Sequence, residues 1–129
     1  MLADAPIAPS LPASDIDRAK RFYQEKLGFA PVQDDVETGN VMYESGSGSR
    51  FTVYLSAFAG TNQATAAAWQ VDDLAATVAD LRRRGVAFEE YDLPGLETVD
   101  GIATASDGGR GAWFKDTEGN ILGLVQMPS

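Results

Sequence analysis

Residues 110–126, RGAWFKDTEGNILGLVQ, decide the fold of this sequence. The segment predicts two strands joined by a tight turn, because apolar runs at 112–114 and 121–125 flank the polar residues Asp116 to Asn120. Gly and Asn tolerate positive φ, and Asp bonds to its own backbone, so these residue types reverse a chain at low cost. The segment is therefore predicted to be a β-hairpin.

A helix lies upstream of this hairpin, and a similar helix lies near the N-terminus. Ser14 is predicted to cap the first helix, apolar residues follow at helical spacing, and Gly28 ends it. Asp72 is predicted to cap the second helix, and Gly85 ends it. The basic triplet 82–84 at the end of the second helix suits the helix dipole and does not indicate a phosphate site.

Short strands are predicted around both helices. In the first half they cover residues 5–12, 29–36, 41–43 and 51–56. In the second half they cover 65–71, 86–91 and 103–106, followed by the closing hairpin, and Leu93 to Gly101 is predicted to be a loop.

Both halves therefore have the order β-α-β-β-β, which is an internal repeat. We expect a single domain over 1–129, with repeat one at about 5–58, a linker at about 59–64 and repeat two at about 65–127. Each unit alone would leave one sheet face uncovered. The predicted fold is α+β, with the two repeats forming a curved mixed sheet around a cleft.

Composition narrows the possible functions. The net charge of −9 opposes binding to nucleic acid, and no apolar run is long enough to span a membrane. No signal peptide is recognised, so we expect a cytoplasmic protein. Without cysteine or histidine, a metal would need oxygen ligands alone. The acids Glu44, Glu89, Glu90 and Asp92 are candidates, but each is predicted to be a solvated surface group.

Three segments together indicate a family: SLPASDIDRAKRFYQEKLGF at 10–29, WQVDDLAATVADLRRRGV at 69–86 and AWFKDTEGNILGLVQ at 112–126. In this order the chain resembles the vicinal oxygen chelate superfamily, which includes glyoxalases, bleomycin-resistance proteins and extradiol dioxygenases. The resemblance covers residues 5–127. Thr117 occupies a position where the family pattern usually has proline, and we interpret it as a tolerated turn variant.

The resemblance implies a metal on inward-facing His, Gln or Glu side chains, but this chain lacks them. The corresponding positions fall near Ala8 and Ala66, on Gly123, and at about residues 52–54. None of these side chains is a metal ligand. The resemblance therefore implies the fold, while the residues predict no metal, no cofactor and no catalytic residue.

Metal-free members resembling bleomycin-resistance proteins are acidic dimers that sequester a cationic drug in an aromatic-lined cleft. By that resemblance we expect a homodimer that binds a small molecule through stacking. Strand alternation assigns the ligand-binding side chains, which are Thr52, Tyr54, Phe58, Gln70 and Trp113. The same alternation places Trp69 on the helix side as a structural residue.

Three hypotheses for function remain open from the sequence. The favoured one is metal-independent binding of a cationic or aromatic small molecule. The second is an enzyme of the glyoxalase, lyase or dioxygenase type that uses oxygen ligands. The third is a subunit or regulator without a small ligand. Small residues at inward positions favour an open cleft over the third hypothesis.

Overall fold

Two four-stranded sheets and two helices make up the protein, whose computed structural model describes residues 1–129. The first half contains β1 (Ser10–Ala13), α1 (Ile16–Glu25), β2 (Gln33–Asp35), β3 (Asn40–Glu44) and β4 (Arg50–Leu55). The second half contains β5 (Thr65–Gln70), α2 (Leu74–Arg83), β6 (Asp92–Leu93), β7 (Leu96–Glu97), β8 (Ala103–Thr104), β9 (Arg110–Lys115) and β10 (Ile121–Gln126). Short 3-10 turns cover Leu2–Asp4 and Gly46–Gly48. Neither α1 nor α2 is long and apolar enough to cross a membrane.

The two sheets have the same topology. Their strand orders are β1-β4-β3-β2 and β5-β10-β9-β8. In each sheet the first strand of the half runs parallel to its last strand, and the other pairs are antiparallel. A parallel pair needs a crossover connection, and the helix after the first strand is part of it. The α+β fold with an internal β-α-β-β-β repeat is confirmed.

A single hydrophobic core joins the two halves. Trp69 of β5 stacks between Phe29 and Phe114, with ring-centroid distances of 5.9 Å and 6.4 Å. Phe51 of β4 meets Trp69 edge-on at 5.8 Å, and Tyr23 of α1 lies 5.6 Å from Phe51. The prediction that Trp69 is structural is confirmed, because its ring connects the aromatic side chains of one half to those of the other.

Strand alternation separates a core face from an open face in each sheet. On β4, Phe51 and Val53 are buried while Thr52 and Tyr54 are half-buried on the other face. Leu55 has the same parity as Phe51 and Val53 but is 58% exposed at the end of the strand. We call the face that carries Thr52 and Tyr54 the first open face.

The cap of α1 lies one residue later than predicted. Asp15 is the N-cap, and its carboxylate accepts a hydrogen bond from the N–H of Arg18. Ser14 lies one residue before the cap, and its hydroxyl and its backbone N–H both donate to Glu118 from the second half. A tertiary contact therefore replaces the local capping interaction that the sequence pattern predicted.

The cap of α2 is displaced in the same way. Asp73, rather than Asp72, accepts from the N–H of Ala76. The N–H of Leu74 donates to the side-chain oxygen of Gln126 on β10, so strand and helix are joined at this end. In both halves the N-cap therefore lies one residue after the predicted position.

The edge strands are shorter than predicted. The expected strand over 29–36 is reduced to β2, because Phe29 turns into the aromatic core and Pro31 has no N–H to donate. The expected strand over 86–91 is reduced to one bridge, between Phe88 and Phe114. The chain then leaves the sheet, and the segment predicted as a loop carries the small β6–β7 hairpin. We call residues 91–102 the insertion.

Candidate ligand-binding site

Trp113 lies on the face of the second sheet that points away from the core, which we call the second open face. A Cβ atom at Gly111 would lie 3.1 Å from the Trp113 ring, and one at Gly123 would lie 3.4 Å from Nε1. The indole therefore lies flat across two glycines of neighbouring strands. Larger residues at these positions would push it away, so the glycines create a flat aromatic surface.

Tyr91, at the start of the insertion, completes this surface. Its ring meets Trp113 edge-on, with centroids 5.6 Å apart and planes at 80°. Thr98 holds Tyr91 in place, since the Tyr91 N–H donates to Thr98 Oγ1 (2.8 Å) and the Thr98 N–H donates to the Tyr91 carbonyl (2.9 Å). We call Trp113 and Tyr91 the aromatic pair. Sequence reasoning missed Tyr91, because nothing local indicates that the insertion folds back to β9.

Thr52 and Tyr54 lie together on the first open face. Thr52 is paired with Met42 of β3, and Tyr54 is paired with Asn40. Thr52 lines a hollow of about 310 Å³ with polar side chains of β2 and β3, including Gln33. The hollow is open to solvent and mostly polar, which suits a polar part of a ligand.

Gln70 and Phe58 are placed differently from the other predicted residues. Gln70 is exposed at the end of β5 and lines a mainly apolar cavity of about 200 Å³ beside Leu27 and Trp69, near the ends of the helices. Phe58 is 76% exposed in the turn after β4. The structure thus brings Thr52 and Tyr54 together on one sheet, places Trp113 on the other, and leaves Gln70 and Phe58 at the strand ends.

The turn between β9 and β10 fixes the two sheets relative to each other. Asp116, Glu118 and Asn120 in this turn are all buried. The Tyr23 hydroxyl of α1 donates to Asp116 Oδ2 (2.6 Å), and Asn120 Nδ2 donates to the carbonyl of Pro12 on β1 (2.9 Å). Burial of the Tyr23 hydroxyl, together with the Asp116 charge, raises the pKa of Tyr23 well above its ordinary value.

Glu118 is the centre of the contact between this turn and α1. Its carboxylate accepts hydrogen bonds from the N–H groups of Ser14 and Asp15 (both 3.0 Å), from Arg18 Nε (2.8 Å) and from Thr117 Oγ1 (2.9 Å). Burial alone would raise the pKa of Glu118, but these donors outweigh burial and lower the pKa to about 2. Thr117 therefore contributes a donor where proline would have none.

Comparison with known proteins agrees with this architecture. Residues 6–124 match the pattern of the Glyoxalase/Bleomycin resistance protein/Dioxygenase superfamily. The chain belongs to this superfamily. No curated protein matches it in sequence.

Solved structures of the superfamily resemble the chain over almost its whole length. TnmS3, an antibiotic binding protein from a Streptomyces species, is 28% identical, with a TM-score of 0.65 and coverage of 98% of both chains. The bleomycin resistance determinant encoded on transposon Tn5 is 24% identical, with a TM-score of 0.70 and coverage of 94% of this chain and 96% of that one. Lactoylglutathione lyase from Agrobacterium tumefaciens is 16% identical, with a TM-score of 0.67 and coverage of 95% and 93%. The last two comparisons show the fold alone.

The metal site that the superfamily implies does not fit the residues of this chain. Gly123, at the position expected for a glutamate on the closing strand, is buried between Ala68, Thr65 and Trp113 and has no side chain. No group of three acidic, histidine or cysteine residues anywhere in the chain could hold a metal ion. At Gly123, an indole occupies the space beside the strand where a ligating carboxylate would project.

Proposed function

We propose that this protein binds a small aromatic or cationic molecule on its open faces without a metal ion. The observation that carries the proposal is the aromatic pair, in which Trp113 lies flat over Gly111 and Gly123 with Tyr91 at its edge. A flat, half-buried indole supported by glycines can stack on a planar ligand. TnmS3, at 28% identity, is an antibiotic binding protein, which supports the same kind of function.

The charge around the aromatic pair favours a cation. The chain has a net charge of −9, and Asp92, next to Tyr91 in the chain, forms no ion pair. Glu89 is held by Lys115 at 3.5 Å. Aromatic faces attract cations through their quadrupole, and acids nearby add to this attraction. We therefore expect a planar cation to bind better than a neutral molecule of the same shape.

We further propose that two copies form a homodimer that completes the site. Within one chain the predicted polar contacts, Thr52 and Tyr54, lie on a different sheet from Trp113. An isologous pair would place the first open face of one copy against the second open face of the other. Light scattering at several protein concentrations would measure the mass, and a monomer at all concentrations would contradict this part of the proposal. The cytoplasmic location stays a prediction.

The test of binding is a ligand screen on matched Trp113 variants. Planar cationic and neutral aromatic compounds are screened by thermal melting, each with divalent metal and with chelator. A ligand at a hundredfold excess over its Kd adds about 2.7 kcal/mol of stability. Trp113→Phe keeps a stacking ring and should bind within a few-fold of the original protein, whereas Trp113→Leu should bind about tenfold more weakly.

The two controls separate this function from the alternatives. A shift that disappears with chelator would overturn the metal-free proposal and favour an enzyme with oxygen ligands. Equal binding by Trp113→Phe and Trp113→Leu would show that the aromatic pair does not contact the ligand. The melting temperature of each variant without ligand shows whether the fold is intact.

A further inference from the structure

A further cavity, open to solvent, lies beside the insertion on the side of the second sheet opposite the aromatic pair. Its volume is about 530 Å³, within the range of small-molecule sites, and its lining includes Leu96, Glu97, Val99, Ile102, Thr104 and Arg110. Side chains alternate between the two faces of β9. Arg110 therefore lies on the same face as the buried residues Ala112 and Phe114, and Trp113 lies on the opposite face. The cavity therefore opens on the face opposite the aromatic pair.

Arg110 is the one cationic group in the lining of this cavity, and it forms no ion pair in the chain. Five arginines form ion pairs with carboxylates. The two that do not are Arg21, which is exposed on α1, and Arg110, which is the one half-buried arginine of the chain. Arg110 also makes no side-chain hydrogen bond. A half-buried arginine without an ion pair is unusual in a protein with a net charge of −9, since carboxylates are abundant.

The acids near the cavity are engaged elsewhere or remain in water. Asp100 pairs with Arg82 (3.5 Å), and the Asp107 carboxylate accepts from the N–H of Gly109 (2.9 Å). Glu97 is the one acid in the lining, and its side chain is exposed on β7 and forms no ion pair with Arg110. The five donors of Arg110 are therefore available to a bound molecule.

The walls of the cavity are held by contacts that exist without a ligand. Val99 and Ile102 exchange backbone hydrogen bonds of 2.9 Å and 3.1 Å. Arg82 of α2 donates to the carbonyl of Asp100 (2.9 Å) and lies over the ring of Phe88 at 5.5 Å. Gly101 is buried at φ +80°, where a Cβ would lie 2.8 Å from Arg82. The insertion is thus fixed to α2, and Arg110 is fixed on a strand.

We propose that this cavity binds a small organic anion, a carboxylate or phosphate ester with a short apolar body, and that Arg110 holds its charged group. The planar guanidinium matches carboxylate and phosphate oxygens in a two-pronged hydrogen bond. Thr104, paired with Arg110 across the strands, adds a hydroxyl donor. Leu96, Val99 and Ile102 supply the apolar wall.

The test is a solution NMR titration with benzoate, phenyl phosphate and the neutral isostere benzamide. Benzoate or phenyl phosphate should give saturable shifts of the Thr104 and Ile102 amides and of the Arg110 Nε–H signal. Benzamide should bind at least tenfold more weakly, because it lacks the charge. Whichever of benzoate and phenyl phosphate binds with the lower Kd shows whether the natural ligand class is carboxylate or phosphate.

Variants of two unpaired arginines provide the matched control. Arg110→Gln should weaken binding of the preferred anion at least tenfold, and Arg110→Lys should weaken it less, while Arg21→Gln should leave it unchanged. Trp113→Leu should also leave it unchanged, which separates this site from the proposed ligand site on the other face. Equal binding of benzamide, equal effects of Arg110→Gln and Arg21→Gln, or the absence of saturable shifts would each overturn the proposal. The spectra themselves show that each variant is folded.

Discussion

Glu118 is a buried carboxylate whose donors come mostly from the other half of the chain. Arg18, which is 44% exposed on its side-chain surface, donates to both of its oxygens, and the start of α1 supplies two backbone N–H groups. Charged hydrogen bonds in a buried position are stronger than exposed ion pairs. The contact therefore stabilises the relative position of the two repeats.

The pKa of Glu118 predicts how stability depends on pH. The folded pKa is about 2, below the ordinary value of 4.5. The charged form is thus favoured by folding, and this contribution is fully present above pH 4.5 and is lost as the pH falls towards 2. The lowered pKa of Glu118 corresponds to at most about 3 kcal/mol of folding stability. Solvent screening of the partly exposed Arg18 charge makes the actual contribution smaller.

The expected result is that Glu118→Gln lowers the free energy of unfolding by about 2–3 kcal/mol at pH 7 and that the difference from the original protein shrinks between pH 4.5 and 2.5. Urea unfolding at several pH values measures this difference. Glu97→Gln, at an exposed carboxylate on the insertion, is the control and should have almost no effect at any pH. If the loss of stability in Glu118→Gln stays constant with pH, the lowered pKa of Glu118 is contradicted.

Two buried tyrosines provide a second test at the residue scale. The Tyr23 hydroxyl donates to Asp116, whereas the Tyr43 hydroxyl is buried with no hydrogen-bond partner. Burial of the Tyr43 hydroxyl, with the Asp34 charge nearby, raises its pKa to about 12. Tyr23→Phe should cost about 1–3 kcal/mol, because the Asp116 carboxylate loses a donor, and Tyr43→Phe should be neutral or stabilising. Denaturant unfolding at pH 7 compares the two, and equal losses would contradict the difference in bonding.

The sequence predicted the turn at 116–120 but not what its side chains do. Asp, Gly and Asn there satisfy a local rule about chain reversal, and the structure confirms the turn. Ser14, a partner of Glu118, lies 104 residues away in the chain, and Pro12, a partner of Asn120, lies 108 residues away. Such contacts leave no local pattern, so the burial of these polar residues could not be predicted.

At the scale of elements, both helices were predicted, but their caps were each placed one residue too early. Ser14 and Asp72 satisfy the local preference for a cap as well as Asp15 and Asp73 do. The choice between neighbours depends on the contacts that each residue makes with the other strands and turns. The edge strands also depend on tertiary contacts, because Phe29 turns into the aromatic core before β2 and the insertion takes the place of a continuous strand along β9.

The caps of α2 can be tested directly. Asp73→Ala should lower the free energy of unfolding by about 1 kcal/mol, because the Ala76 N–H loses its acceptor at the positive end of the helix. Asp72→Ala is the neighbouring control and should change it by less than about 0.5 kcal/mol. Urea unfolding of both variants measures the difference, and a larger loss for Asp72→Ala would restore the cap expected from the sequence.

At the scale of the whole molecule, the two repeats share one core rather than having a core each. The aromatic cluster passes from Phe51 through Trp69 to Phe114, and the turn between β9 and β10 contacts α1 and β1. The internal repeat and the open faces followed from sequence periodicity. The insertion, which places Tyr91 beside Trp113, has no periodic signal in the sequence.

The shared core predicts that the protein unfolds as one cooperative unit. A single repeat of about 55 residues would bury too little surface to be stable, particularly after losing the aromatic contacts across the halves. Calorimetry should therefore show one transition with equal calorimetric and van't Hoff enthalpies. The fragment 65–129 alone should lack the near-ultraviolet circular dichroism of packed aromatic rings. Two resolved transitions, or a folded fragment, would mean that the repeats are independent. A melting temperature that rises with protein concentration would separately support the proposed homodimer.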